Sequence, residues 1–136
     1  MYIVYMALYK TVFIADDDSE DREIFMEAVK SVDSSVRFMS ANNGAVALQT
    51  LQNDILEKPD LIFLDLNMPI VNGRQLLGEL KKIEELRKIP VIMYSTFFGE
   101  SDLAEFNRLG ASYCLVKPTE FDILISSLRN ILTTKW

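Results

Sequence analysis

The chain has 136 residues, the size of one ordinary domain, and 49% of them are apolar, enough for a buried core and too many for a disordered chain. It holds no histidine and a single cysteine, Cys114, which excludes histidine acid–base chemistry, histidine metal sites, an internal disulfide and any multi-cysteine zinc site. The formal charge of −6 is local, because six acids against one base lie between Asp16 and Glu23; with no basic run elsewhere, direct nucleic-acid binding is set aside.

Residues 1–9 form an uncharged apolar run, too short for a bilayer, which needs about 20 residues. The run also lacks the basic start and cleavage site of a signal peptide. It is read as an extension of unassigned role, able to help the chain self-associate, ahead of one domain over 10–136. The cysteine usage and the absence of a spanning segment give the expectation of a cytoplasmic protein outside the membrane.

Short apolar runs then alternate with longer amphipathic ones. Residues 11–15 read as a strand, followed by a helix with Ile24, Phe25, Ala28, Val29 and Val32 on its apolar face. A second strand over 36–41 precedes a helix marked by Ala47, Leu48, Leu51 and Ile55. The third strand, 61–65, leads to a helix with Leu76, Leu77, Leu80 and Ile83 inward. A strand over 91–95 precedes a helix over about 101–109, and the fifth strand is 112–116. The last helix carries the stripe Phe121, Leu124, Ile125, Leu128, Ile131 and Leu132.

Pro59 and Pro90 fall just before strands and Pro69 and Pro118 just after, where a missing N–H costs no ladder bond. Strict alternation of strand and helix implies an α/β fold, a doubly wound (βα)₅ with a parallel five-stranded sheet covered on both faces. Ligands of such sheets bind beyond the carboxyl ends of the strands. That edge collects Asp16 and Asp17, Asn42 and Asn43, Asp65, Ser95 and Thr96, and Lys117.

Three clustered carboxylates repel one another, and a divalent cation relieves them; all-oxygen ligation with waters suits Mg²⁺. Three Asp, one Mg²⁺ and Lys117 sum to zero charge, a setting into which a phosphoryl group fits. Asp65 is the better acceptor, because an Asp can form an acyl phosphate. Ser95 is the alternative, and no histidine exists to activate it.

The sequence resembles the receiver domains of response regulators, the CheY-like family, over residues 10–135. The resemblance rests on Val12-Phe13-Ile14-Ala15-Asp16-Asp17, on Leu64-Asp65-Leu66-Asn67-Met68-Pro69 followed by Asn72-Gly73, on Pro90-Val91-Ile92-Met93-Tyr94-Ser95, and on Gly110-Ala111 before Val116-Lys117-Pro118. It implies the strand order 2-1-3-4-5 and a stand-alone receiver of a two-component phosphorelay. Asp65 is then the phosphoacceptor, served by a histidine kinase or phosphotransfer protein. Asp17, Asp65 and the backbone carbonyl of Asn67 would hold Mg²⁺, with Asp16 on a metal-bound water. Lys117, Ser95 and the Thr96 amide would bind phosphoryl oxygens, and Lys117–Pro118 would be cis.

The output implied is protein–protein contact, with an unassigned downstream partner or a homodimer, through the fourth helix, fifth strand and fifth helix, including Glu105, Arg108, Tyr113 and Arg129. Such a chain accepts phosphate stoichiometrically and is not an enzyme with a separate substrate. Asp18, Asp21 and Glu23 are expected to face solvent at a helix start, where negative charge is favourable. The family's aromatic switch position is occupied by Cys114, with Tyr113 on the opposite face. Phe97 sits where the family tunes phosphoryl lifetime. A haloacid-dehalogenase-like phosphohydrolase is the enzyme alternative, and Asn67 and Pro69 break its motif. A receiver-like module that never cycles phosphate is the third reading, and a flavin-binding one lacks the hydroxyl-rich loop after the first strand.

Overall fold

The computed structural model of the protein describes residues 5–53 and 57–136. Five strands alternate with five helices: β1 (Thr11–Ala15), α1 (Ser19–Val32), β2 (Arg37–Ala41), α2 (Gly44–Gln52), β3 (Leu61–Asp65), α3 (Gly73–Lys82), β4 (Val91–Ser95), α4 (Asp102–Leu109), β5 (Tyr113–Val116) and α5 (Phe121–Leu132). All pairings are parallel and the sheet order is β2-β1-β3-β4-β5, the doubly wound topology expected.

Alternation along the strands builds two cores. Val12, Ile14, Phe63, Ile92 and Leu115 meet Phe25 and Val29 of α1 and Leu124 and Leu128 of α5. Phe13, Ala15, Ile62, Leu64 and Met93 meet Leu51 of α2, Leu76, Leu77 and Leu80 of α3 and Phe106 of α4. β1, β3 and β4 are buried at every residue, whereas β2, on the sheet edge, is mostly half-buried or exposed.

The two apolar stripes lose one member each: Ile24 is 43% exposed and Phe121 is 40% exposed. Ile24 lies in the second turn of α1 and Phe121 is the first residue of α5, and both line one open groove with Lys117 and Pro118. Ile55, assigned to the second helix, lies outside the described residues, as do residues 1–4 of the N-terminal run. β2 and β5 begin one residue later than expected. The Ser112 amide already donates to the Val91 carbonyl at 2.8 Å, so pairing there precedes the regular ladder.

Residues 5–9 pack against the carboxyl end of α5. The Leu8 amide donates to the Leu132 carbonyl at 2.9 Å. The Tyr9 hydroxyl donates to the Thr134 carbonyl at 2.7 Å and accepts from the Trp136 amide at 3.0 Å. Among the described residues, no helix is long and apolar enough to cross a membrane.

Candidate phosphoryl and metal site

The chain leaves β1 at Asp16, whose amide donates to the Ala41 carbonyl at 3.1 Å and so stays tied to β2. That tether buries Asp16 to 1% exposure while Asp17, one residue on, reaches solvent. Asp18 turns back to cap α1, accepting from the amides of Glu20 at 2.9 Å and Asp21 at 3.2 Å, a capping role and not a metal one. Arg22 donates to the Asp16 carbonyl at 2.6 Å and pins the turn.

Asp65 is the last residue of β3 and 6% exposed. The segment behind it is closely packed. A Cβ on Gly73 would lie 2.2 Å from the Asp65 carbonyl oxygen, so only glycine lets α3 start there. Asn72 and Gln75 form a reciprocal capping box at that start. Between Asp65 and Asn72, Ile70 holds φ 70°, a left-handed value that a β-branched residue rarely takes, with the Val71 amide donating across it to the Pro69 carbonyl at 2.8 Å.

β4 ends at Ser95, whose buried hydroxyl has no hydrogen-bond partner among the described residues. Thr96 beside it is exposed. The Lys117 amide donates to the Ser95 carbonyl at 2.7 Å, which fixes the end of β5 beside the end of β4. From there the Lys117 ammonium reaches Asp16 at 2.6 Å, Asp21 at 3.1 Å and Asp65 at 3.8 Å, and lies 5.1 Å from the Tyr94 ring centre.

Carboxylate oxygens of Asp16, Asp17 and Asp65 lie within 4.8 Å of one another. An octahedral ion with bonds of about 2.1 Å spans about 4.2 Å between opposite ligands, so this all-oxygen set fits Mg²⁺ with waters completing the shell. An open groove of about 620 Å³ adjoins the set, lined by Asp17, Asn67, Met68, Asn72, Arg74 and Asp102 among others.

The charges are strongly coupled to burial. Burial pushes the Asp65 carboxyl up to about 6; Lys117 opposes that rise, and Asp16 and Asp17 add to it. Burial works against the Lys117 charge, but the hydrogen bond to Asp16 and the negative charges around it prevail, holding the ammonium above the usual lysine range. Burial lifts the Tyr94 phenol to about 12, and burial followed by the Asp102 charge raises the Cys114 thiol, which keeps that cysteine a packing residue.

Asp16, Asp17, Asp65, Ser95, Thr96 and Lys117 therefore meet at one sheet edge, as expected. Asn43 instead caps α2, accepting from the Val46 amide at 2.8 Å, and Asn42 accepts from the Asn43 side chain at 3.2 Å. Three further points concern this edge. The Lys117–Pro118 bond is trans, like every described peptide bond; trans is the intrinsic preference of X–Pro by about 0.5–1 kcal/mol, and the lysine reaches the carboxylates from it.

Asp21, expected to face solvent, keeps 39% side-chain exposure and also pairs with Lys117. A signal for it was present: Asp21 lies four residues before buried Phe25, on the inward face of α1. Arg74, a residue the sequence left unremarked, joins α3 to α4 by ion pairs to Asp102 at 2.9 Å and to Glu105. The i, i+3 spacing of those two acids was visible; their partner, on another helix, was not.

The expected contact face is partly engaged within the chain: Glu105 is held by Arg74, Arg129 lies 4.5 Å from the Tyr5 ring, and Tyr113 stacks on Trp136 at 5.4 Å.

The sequence profile of the family described as "Response regulator receiver domain" matches residues 12–129. The response regulator Rcp1 of Synechocystis sp. is 27% identical over 126 residues, covering 90% of this chain and 86% of that protein. The polar-differentiation response regulator DivK of Brucella anthropi is 28% identical over 123 residues, covering 90% of this chain and 96% of that protein.

Among solved structures, the phosphorylated cyanobacterial phytochrome response regulator RcpA superposes with a TM-score of 0.82 at 28% identity, over 90% of this chain and 91% of that one. The Mn²⁺-bound form of Rcp1 gives 0.83 at 27% identity, over 93% and 97%. With the profile spanning most of the sequence and the same fold beneath it, the chain belongs to the response regulator receiver domain family of two-component signalling.

Proposed function

We propose that Asp65 accepts a phosphoryl group from a histidine kinase or phosphotransfer protein, and that the domain then signals through protein contacts. One observation carries this reading: Asp65 ends its strand against two further carboxylates and has the Lys117 ammonium 3.8 Å away. Asp65, Asp17 and the Asn67 carbonyl would hold Mg²⁺, with Asp16 on one of its waters; the bound ion would supply charge neutralisation for the transferring group.

An Asp65 carboxylate oxygen attacks phosphorus, the P–N bond of the donor's phosphohistidine breaks, and its electron pair leaves with the imidazole. Lys117 donates to one phosphoryl oxygen, the Thr96 amide to a second, and the unpartnered Ser95 hydroxyl has a donor to give a third. The product is a phosphorylated chain, one group per molecule, with hydrolysis returning it to rest. The receiver occupies 10–136 and works in the cytoplasm; residues 1–9 are an extension of unassigned role. The output partner is a downstream protein or a second copy, met through α4, β5 and α5.

The test is incubation with a small acyl-phosphate donor, read by intact mass. A gain of one phosphoryl group that needs Mg²⁺ and disappears in Asp65→Asn supports the reading; no gain under any condition, with a donor that loads another receiver, overturns it.

A further inference from the structure

The acid that pairs with Lys117 from outside the metal set has no role in the scheme above. A lysine ammonium has three donors. Here Asp16 takes one at 2.6 Å and Asp21 another at 3.1 Å, leaving the third toward Asp65, at the longest distance of the three, 3.8 Å. Asp21 is held in that position by its own helix. Its amide is capped by Asp18 at 3.2 Å, and it lies one turn before Phe25, which is fully buried against Phe63 and Tyr94. The neighbouring Arg22 is engaged with the Asp16 carbonyl, and the ion pair recorded for Asp21 among the described residues is the one with Lys117.

The charge count changes with this residue. Asp16, Asp17, Asp65, Lys117 and a divalent cation sum to zero, and Asp21 takes the site to −1. An arriving cation gains from the extra charge. An arriving phosphoryl group is repelled by it, and must also share an ammonium already committed elsewhere.

We propose that Asp21 is a positioning residue that divides the Lys117 ammonium between α1 and the phosphoacceptor, strengthening the hold on Mg²⁺ while weakening the hold on the phosphoryl group. The inference rests on the reading of Asp65 as phosphoacceptor. It assigns Asp21 two effects of opposite sign, which a merely structural contact does not produce.

The experiment is calorimetric titration of the full chain, first with Mg²⁺ alone and then with beryllofluoride at saturating Mg²⁺. Asp21→Asn should weaken Mg²⁺ about two- to threefold and tighten beryllofluoride about three- to tenfold, the range expected for one partly screened charge at this distance. Asp21→Glu, which keeps the charge, should return both affinities toward the wild-type values. Equal affinities in wild type and Asp21→Asn, or a loss of both together, overturn the inference while leaving the phosphoacceptor reading intact. Wild-type chain that binds Mg²⁺ but no beryllofluoride overturns that reading and this inference with it.

Discussion

Two loops flank Asp65, and they are built in opposite ways. The loop from β3 to α3 is over-determined: glycine at 73 is wedged against the Asp65 carbonyl, the Gly73 amide donates to the Leu66 carbonyl at 3.1 Å, and a capping box closes the helix start. The loop from β4 to α4 is held by separable contacts: the Phe98 ring against Phe106 at 6.0 Å, the Asp102 amide on the Gly99 carbonyl at 3.1 Å, and the Asp102 carboxylate. Asp102 accepts from the Gly99 amide at 2.6 Å and from Arg74 at 2.9 Å, while Phe97 is 72% exposed and the Ser95 hydroxyl lacks a partner. The difference separates two tasks. On the proposed function, the carboxylate that would take the phosphoryl group is fixed in advance, and the segment that would answer its arrival is held by contacts that can be exchanged.

The sharpest way to break the fixed side is Gly73→Ala. A methyl group 2.2 Å from a backbone oxygen cannot be accommodated by a side-chain rotation, so the end of β3 must move. A loss of about 2–4 kcal/mol in denaturant unfolding is expected, together with weaker beryllofluoride binding. Wild-type stability in this variant would show that the loop yields easily and that the contrast is wrong.

The acceptor itself provides a test with a sign in pH. Its folded pKa is raised from 3.8 to about 6, so the folded chain holds this proton more tightly than the unfolded chain. The contribution of this group to stability is therefore full below about pH 4 and is lost as pH rises through 6, where a buried carboxylate must be charged, with Asp16 and Asp17 beside it. Asp65→Asn removes that cost. In chelator at pH 7 it should stabilise the fold by about 1–2 kcal/mol, a figure discounted for solvent screening, with little gain at pH 4. Thermal melts at the two pH values, repeated with Mg²⁺, measure it; saturating Mg²⁺ should shrink the advantage.

On the exchangeable side, Asp102→Ala removes the acceptor for Gly99 and one of the two partners of Arg74. About 1 kcal/mol of stability should go, because the ion pair is partly solvated. Amide exchange should accelerate at Gly99 and leave Gly73 unchanged. Acceleration at both amides would mean that the two loops move as one.

The smallest effect on stability belongs to Phe97→Ala, since the ring is largely in solvent. The expected change is kinetic: Phe97 follows Thr96 in the loop after β4, and on the proposed reading its loss should speed decay of the aspartyl phosphate by admitting water. An unchanged decay rate would remove Phe97 from the chemistry.

Much of this molecule was readable before any coordinates. Short, continuously apolar runs in β1, β3 and β4, the placement of four prolines, and the one-to-one succession of strand and helix determine the layers, because each is a local constraint on backbone and burial. The carboxyl-edge rule then brings Asp16, Asp17, Asp65, Ser95 and Lys117 together without reference to side-chain direction. The stripes failed at Ile24 and Phe121, which line a surface groove beside Lys117 instead of the core.

What the tertiary structure alone decided is who meets whom across the chain. Lys117 finds Asp21 across 96 positions, Arg74 finds Asp102 across 28, and Tyr113 stacks under Trp136. Pattern and propensity act within one element, whereas these contacts depend on how far two helices project past the sheet and which rotamer closes the gap. Local physics drew the edge where the chemistry belongs; packing set how its lysine is shared.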